Sequence, residues 1–273
     1  MTLGPHPIDT GSAELLQDLD RPNALTLLVN GVQSSSHDLD DPTWLEFEYL
    51  RWIETILLRL GAPAPDARWD VLHLGGGGCS LARTLAAVRP RSRHLAVEID
   101  GVLAQLVRQW FPLPSAPTLR IRVGDARTVL DGLPDASRDA VVRDAFAGAT
   151  VPASLTTVEY TEQVGRVLRP RGVSVANCTG VLSDIRDELA TAAAVFEQVA
   201  VVGHDGTLRG RHPGNLLLIG TDRPLGAPEI AALRAELLRD PTPAHLWIDD
   251  QLAGVLAGGT ARQDPPAENG PSC

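Results

Sequence analysis

Cysteine is scarce in this sequence: Cys79, Cys178 and Cys273 are the three thiols among 273 residues. Odd in number and far apart, they form no disulfide framework and suit a reducing, cytoplasmic setting. No Cys or His pair has metal-ligand spacing, and the seven histidines are scattered, so no metal is expected. No run approaches the ~20 apolar residues of a membrane span. The opening MTLGPHPIDTGSAELL has neither a basic start nor an apolar h-region, so neither a membrane partner nor a secretion signal is expected. Positive charge is also short. Against 34 Asp and Glu there are 24 Lys and Arg, a net charge of −10. Binding phosphate backbones needs a basic face, so no nucleic-acid partner is expected. An acidic surface favours a cationic small substrate only as a weak field effect, and it serves solubility equally well. Aromatics make up 4% of the chain, and the five tryptophans are read as packing.

What is present is one large soluble core, with 44% hydrophobic residues and a mean hydropathy of −0.01. The chain is organised around Trp69 to Asp100. An apolar run to Leu74 meets Gly75-Gly76-Gly77-Gly78, then a helical run from Ser80, then Leu95-Ala96-Val97-Glu98-Ile99-Asp100. This is a strand–loop–helix–strand unit. Its glycines let the backbone turn tightly beside a ligand, and the following helix presents unpaired N–H groups. Glu98 stands about 20 residues past the glycines, where such folds hold a ribose diol.

Residues 1–22 read as a loose leader with a short helix. Residues 23–62 read as a module of a hairpin about Asn30-Gly31, a strong type I′ signal, and a helix over Trp44 to Leu60. Residues 63–262 read as a Rossmann-like adenosyl-binding domain, and 263–273 as a Pro-rich disordered tail. Strands are expected at Val71–Leu74, up to Glu98, at Leu119–Val123, Asp139–Arg143 and Gly172–Cys178, and near Gln198–Gly203 and Asn215–Gly220. Helices alternate with them. The fold class is therefore α/β, a mostly parallel sheet with helices on both faces.

Glu98, Asp125 and Asp144 each end or follow a strand, where open α/β sheets bind ligands. The competing reading is that they cap helices, which Asp does well. A carboxylate in Gly124-Asp125-Ala126 can accept from an adenine amino group. That favours S-adenosylmethionine or a relative over a nicotinamide dinucleotide. Gly78-Cys79-Ser80-Leu81-Ala82 partly matches a hydrolase elbow, but Ala82 replaces its second glycine. Cys79 is read as a buried filler.

From Leu25 to about Gly180 the chain resembles the spermidine synthase (polyamine aminopropyltransferase) family, a branch of the Rossmann-like methyltransferase fold. The matching pieces are the Asn-Gly hairpin, Gly75–Gly78, Val97-Glu98-Ile99-Asp100, Gly124-Asp125-Ala126 and Asp144. Ile248-Asp249-Asp250 is faintly similar to a late Thr-Asp-Asp segment of that family. The resemblance implies a transferase of polyamine biosynthesis. Its donor substrate would be decarboxylated S-adenosylmethionine or S-adenosylmethionine, and its partner a small-molecule amine, with a homodimer as the candidate assembly. It implies Gly75, Gly76 and Gly77 around the donor, Glu98 on the ribose, Asp125 with Ala126 near adenine, and Asp144 accepting a proton from the amine. The family's loop Asp is Gly78 here, its second catalytic-loop Asp is Ala147, and its first-helix Tyr-His pair aligns with Leu45-Glu46. Its hairpin Gln is expected at Ser34, with Gln33 one residue away. A one-residue offset points a strand side chain to the other face unless a bulge intervenes. All departures lie on the amine side, so the acceptor is expected not to be ordinary putrescine. A methyltransferase and a non-catalytic nucleoside-binding homologue are the alternatives.

Overall fold

The structure is a computed structural model, and the residues described are 4–148 and 150–266. The segment expected as a leader with a short helix is strand instead. β1 (His6–Ile8) and β2 (Gly11–Gln17) pair antiparallel around Asp9-Thr10. Ala-Glu-Leu-Leu-Gln favours a helix locally, but Ala13 and Leu15 are both buried, the period of two that a sheet face imposes. β3 (Ala24–Val29) and β4 (Val32–Asp38) complete an antiparallel sheet in the order β1-β2-β3-β4. Asn30 and Gly31 turn the hairpin with φ of +53° and +78°, as a type I′ turn requires. The sheet docks on the main body through Asp9, whose Oδ2 accepts from the N–H groups of Gly101 and Val102 at 2.8 and 3.2 Å. Thr10 Oγ1 donates to Asp100 at 2.8 Å.

The first helix starts later than its apolar spacing suggests. It is α1 (Glu48–Ile56), running on into a π-helical turn at Leu57–Gly61. Trp44 is not in it and lies under the Arg21 guanidinium, 4.8 Å from its ring centre. The alternating unit then follows as β5 (Trp69–Leu74), α2 (Ser80–Val88), β6 (Ser92–Glu98), α3 (Gly101–Trp110), β7 (Leu119–Val123), α4 (Ala126–Asp131) and β8 (Arg138–Arg143). Next come α5 (Val158–Val167), β9 (Leu168–Gly180), α6 (Arg186–Ala193), β10 (Gln198–Gly203), α7 (Asp205–Leu208) and β11 (Gly214–Thr221). β9 begins ahead of the expected Gly172, and Pro170-Arg171-Gly172 lies at a break in register between β8 and β9, with Arg171 at φ +71°. α8 (Ala227–Leu237), β12 (His245–Ile248) and α9 (Asp250–Leu256) close the chain, the last two unforeseen.

Among the described residues these strands form one eight-stranded sheet, β12-β10-β11-β9-β8-β5-β6-β7. From β9 to β7 every pairing is parallel, and from β9 to β12 every pairing is antiparallel. Side chains alternate between two cores. Val71, Ala140, Val142 and Val175 face α1 and α8 through Ile53, Ile56, Leu233 and Leu237. Leu72, Leu74, Val141 and Val201 face the other layer through Leu130, Val164, Leu189 and Leu252. Parallel strands covered on both faces read as continuous apolar runs, which is why they stood out in the sequence.

The C-terminal ends of β5, β6, β7 and β8 open on one edge of the sheet. β12 runs the opposite way, so Asp249 and Asp250 after it lie at the other end, and Asp249 accepts from Gln198 Nε2 at 2.9 Å at the start of β10. The segment similar to the family's Thr-Asp-Asp is thus remote from the site. Of the tail expected to be disordered, residues 267–273 lie outside the described residues, whereas Asp264 is tied down. It accepts from Thr157 Oγ1 at 2.7 Å and from Arg127 at 3.0 Å.

Candidate active site

The glycine loop threads between the ends of β6 and β8. Gly75 adopts φ +96°, and a Cβ there would stand 2.2 Å from the Asp144 carbonyl oxygen, so only glycine fits. Gly75 N–H donates to the Val97 carbonyl at 3.1 Å, and Asp144 N–H donates to that of Leu74 at 2.8 Å. Gly76 lies against Glu98, whose Cβ would be 3.2 Å from an added methyl. Gly77 donates its N–H to Glu98 Oε2 at 2.8 Å, and Asp100 donates to Oε1 at 3.0 Å. Burial pushes the Glu98 carboxyl pKa up, and these N–H groups oppose that. Cys79 follows with φ +61° at the start of α2. Cys79 is buried, and burial drives its thiol pKa up to about 12, which suits a packed filler.

The hairpin lies over this loop. Leu27 pairs with Ser35 but Leu28 with Gln33, so Ser34 is a bulged extra residue. Gln33 is exposed, while the hydroxyls of Ser34 and Ser35 both lie 3.2 Å from where a Gly77 Cβ would be. Ser35 Oγ accepts from Gly78 N–H at 2.8 Å, and His37 Nε2 meets the Gly78 carbonyl at 2.8 Å. A carbonyl only accepts, so Nε2 carries the proton. The His37 ring stacks on Phe111 at 4.0 Å, and burial lowers its pKa to about 3, keeping it neutral. A Cβ at Gly78 would come 2.6 Å from Ser35 Cβ. The place where the family carries an Asp is therefore filled by the hairpin.

Asp125 and Asp100 both cap helices. Asp125 Oδ1 accepts from Thr128 N–H and Oγ1 at 2.9 and 3.0 Å at the start of α4, with Ala126 as its first residue. Asp100 Oδ1 accepts from Leu103 N–H at 2.7 Å. Asp144 differs. It heads no helix, and its carboxylate accepts from Tyr49 Oη at 3.0 Å and from Asn177 Nδ2 at 2.9 Å. Burial raises its pKa, while Asn177, Tyr49 and Arg143 pull the other way. Tyr49 stays protonated, since burial and Asp144 hold its pKa well above the usual value.

The sheet thus gathers Gly75, Gly76, Gly77, Glu98 and Asp144 at one edge, with Asp125 and Ala126 on the neighbouring strand end. Leu45-Glu46, aligned with the family's Tyr-His pair, precedes α1, and the residue that reaches Asp144 is Tyr49. Reading the helix as beginning at Trp44 hid it. Asn177 was also missed, because a lone Asn in a strand carries no signal beyond its sheet position. Ala147 is exposed and forms a bridge with Thr150.

No family model matches the chain. The crystal structure of a probable spermidine synthase from Corynebacterium glutamicum ATCC 13032 is 38% identical with a TM-score of 0.92, and all of each chain is covered. The polyamine aminopropyltransferase of Vibrio vulnificus is 31% identical over 167 residues, 60% of this chain and 54% of that protein. The match thus spans about half the length of that curated relative. Human methyltransferase-like protein 13 in complex with SAH is 21% identical with a TM-score of 0.59, covering 82% of this chain and 97% of that one, a likeness of fold alone. With a relative matched over its whole length at more than a third of its positions, the chain belongs to the spermidine synthase (polyamine aminopropyltransferase) family.

Proposed function

We propose that this protein transfers an aminopropyl or related group from an adenosyl sulfonium donor, decarboxylated S-adenosylmethionine or S-adenosylmethionine, to a small amine other than ordinary putrescine. The observation that carries this reading is the Asp144 carboxylate, fixed by Tyr49 and Asn177 beside the glycine loop. A carboxyl whose pKa is raised by burial suits a base working near neutral pH. The amine nitrogen bonds to the carbon beside the sulfonium, the C–S bond breaks, a neutral thioether leaves, and the amine proton passes to Asp144. Because the sulfonium carbon is already electrophilic, catalysis is mostly alignment.

On the donor side we assign the ribose hydroxyls to Glu98 and the glycine loop to close approach. Both hydrogen bonds that Asp125 accepts in its cap land on Oδ1, and Oδ2 is the oxygen assigned to the adenine amino group, next to Ala126. Ile99 and Val123 are large apolar side chains left exposed at these strand ends, and they supply walls for an adenine ring. On the acceptor side, Gly78 and Ala147 offer no carboxylate. A diamine's far ammonium needs an acidic partner when it leaves water, which argues against putrescine.

The same missing acids favour a methyltransferase as the second reading. Incubation with each donor and a panel of amines, followed by mass spectrometry, separates the two by the group added. Asp144→Asn is expected to keep nucleoside binding and to cut turnover by ~100-fold or more. Wild-type turnover in that variant removes Asp144 from the mechanism. Binding of methylthioadenosine without product from either donor identifies a nucleoside-binding homologue.

A further inference from the structure

Behind Asp144 the sheet buries a charge that the proposed reaction does not use. Arg143, the last residue of β8, is only 2% exposed and sits where the strand's apolar run points into the core. Its guanidinium donates to the Leu155 carbonyl at 3.0 Å and to the Asn177 carbonyl at 3.0 Å, and pairs with Glu188 of α6 at 2.6 Å. Taking an arginine out of water costs several kcal/mol unless its partner and hydrogen bonds are in place. An apolar residue continuing Val141-Val142 would pack there without that cost. The arrangement gains its point from the residue it touches. Asn177 is held by its carbonyl to Arg143, and its side-chain amide donates to Asp144 Oδ1 at 2.9 Å.

We infer that Arg143 and Glu188 are positioning residues for Asp144, a buried ion pair that works through Asn177 to aim the carboxylate and to balance the field on it. This rests on the reading of Asp144 as proton acceptor. The other titratable groups facing the cluster are Tyr49 from α1, Tyr160 from α5 and Cys178 from β9. Burial pushes all three upward, so they stay neutral near pH 7. The charges within the cluster are Arg143, Glu188 and Asp144, while Arg127 of α4 acts on Tyr160 and Glu48 of α1 acts on Tyr49. Arg143 draws Asp144 toward its ionised form, and a carboxylate paired with Arg143, as Glu188 is, would oppose that pull.

The pair therefore predicts opposite responses to loss of its two members, which a merely structural contact would not give. The carboxyl carbon of Asp144 is followed by carbon-13 NMR titration in the full chain without ligand. Glu188→Gln keeps the shape and an acceptor for Arg143 and Cys178 but removes the negative charge, so the Asp144 midpoint falls by about one pH unit. Arg143→Met raises it by about one pH unit or more, and Arg143→Lys, which keeps the charge, stays near the wild type. If Arg143→Met does not fold, Glu188→Gln and Arg143→Lys decide the matter. An unmoved midpoint in Glu188→Gln, or shifts of the same sign in Glu188→Gln and Arg143→Met, overturns the inference. Once an acceptor is known, the acid limb of kcat follows the same midpoints while the KM for the donor is unchanged. Failure to find any turnover counts against the proposed function, and the titration still decides the role of the pair.

Discussion

Replacing Gly78 by alanine tests the contact that joins the hairpin to the glycine loop. Gly78 is not among the glycines with positive φ, so its conformation accepts a side chain. In open space the change would stabilise the protein by about 0.4–1 kcal/mol through the unfolded state. Space is what opposes it, because the new Cβ would stand 2.6 Å from Ser35 Cβ. Overpacking of this kind costs about 1–3 kcal/mol. Relief by moving the hairpin stretches two hydrogen bonds to Gly78, from its N–H to Ser35 Oγ and from His37 Nε2 to its carbonyl, both 2.8 Å. Each is worth roughly 0.5–1.5 kcal/mol net. The expected loss is about 2–4 kcal/mol, or on the order of 5–15 °C in Tm for a chain of this size. The assay is a double-mutant cycle with Ser35→Gly, read by thermal and urea unfolding. Ser35→Gly alone loses about 1 kcal/mol of hydrogen bonding. In the double variant the clash is gone, so the two losses fall short of additive by about 1 kcal/mol or more. A Gly78→Ala protein as stable as the wild type, or strictly additive losses, refutes the account of why this loop carries no aspartate.

Glu98→Ala should weaken methylthioadenosine binding by about 1.5–3 kcal/mol, the worth of hydrogen bonds to a charged group; calorimetry showing unchanged affinity removes Glu98 from the site. Tyr49→Phe deletes a hydrogen bond to the charged form of Asp144 and so raises its pKa by about one unit or more. The acid limb of kcat/KM should move up in pH, and an unmoved limb argues against Tyr49. His94 lies between Ser92 Oγ at 2.7 Å and His73 Nε2 at 3.0 Å, and burial lowers its pKa to about 4. The unfolded chain takes up this proton near pH 6.5 and the native state does not, so stability falls as pH drops from 6.5 toward 4. In His94→Gln the slope over that window should flatten by up to about 1.4 kcal/mol per pH unit, whatever the absolute loss. Parallel pH profiles of urea stability would contradict it.

The central sheet was legible because its inner parallel strands are largely apolar runs and its edge strand β7 alternates apolar and charged residues. β7 and β10 fall on the expected residues, and α2 starts at the expected Ser80. The N-terminal pair was not legible. β2 is written in helix-favouring residues and becomes a strand only because β3 and the apolar face of α3 are there to receive Ala13 and Leu15. β12 is four residues long, too short for a periodic signal, and its pairing with β10 decides it. Around the candidate site, glycines and strand-end acids marked one end of the sheet in the sequence. Asp125 and Asp100 cap α4 and α3, which is the competing reading of a strand-end acid. Tyr49 depended on where α1 begins, and the extended N-cap there is Phe47, with no side-chain cap bond to mark the boundary in the sequence. The Arg143–Glu188 pair joins residues of β8 and α6 that are far apart in the chain, a pairing that no local pattern encodes.

The bulge at Ser34 bears on how relatives of this chain are to be aligned. Between the Asn30-Gly31 turn and the serine that touches the loop, β4 carries one residue more than β3 opposite it. A relative without that extra residue would lack the Ser34 hydroxyl over its glycine loop but could keep the counterparts of Ser35 and His37 there, with its numbering slipped by one. A gap-free alignment through this hairpin would then set Gln33, which is exposed, against a position that faces the loop. Placing the gap at Ser34 would keep Ser35 and His37 in step with Gly78, because both rest on that residue whatever the length of the turn ahead of them.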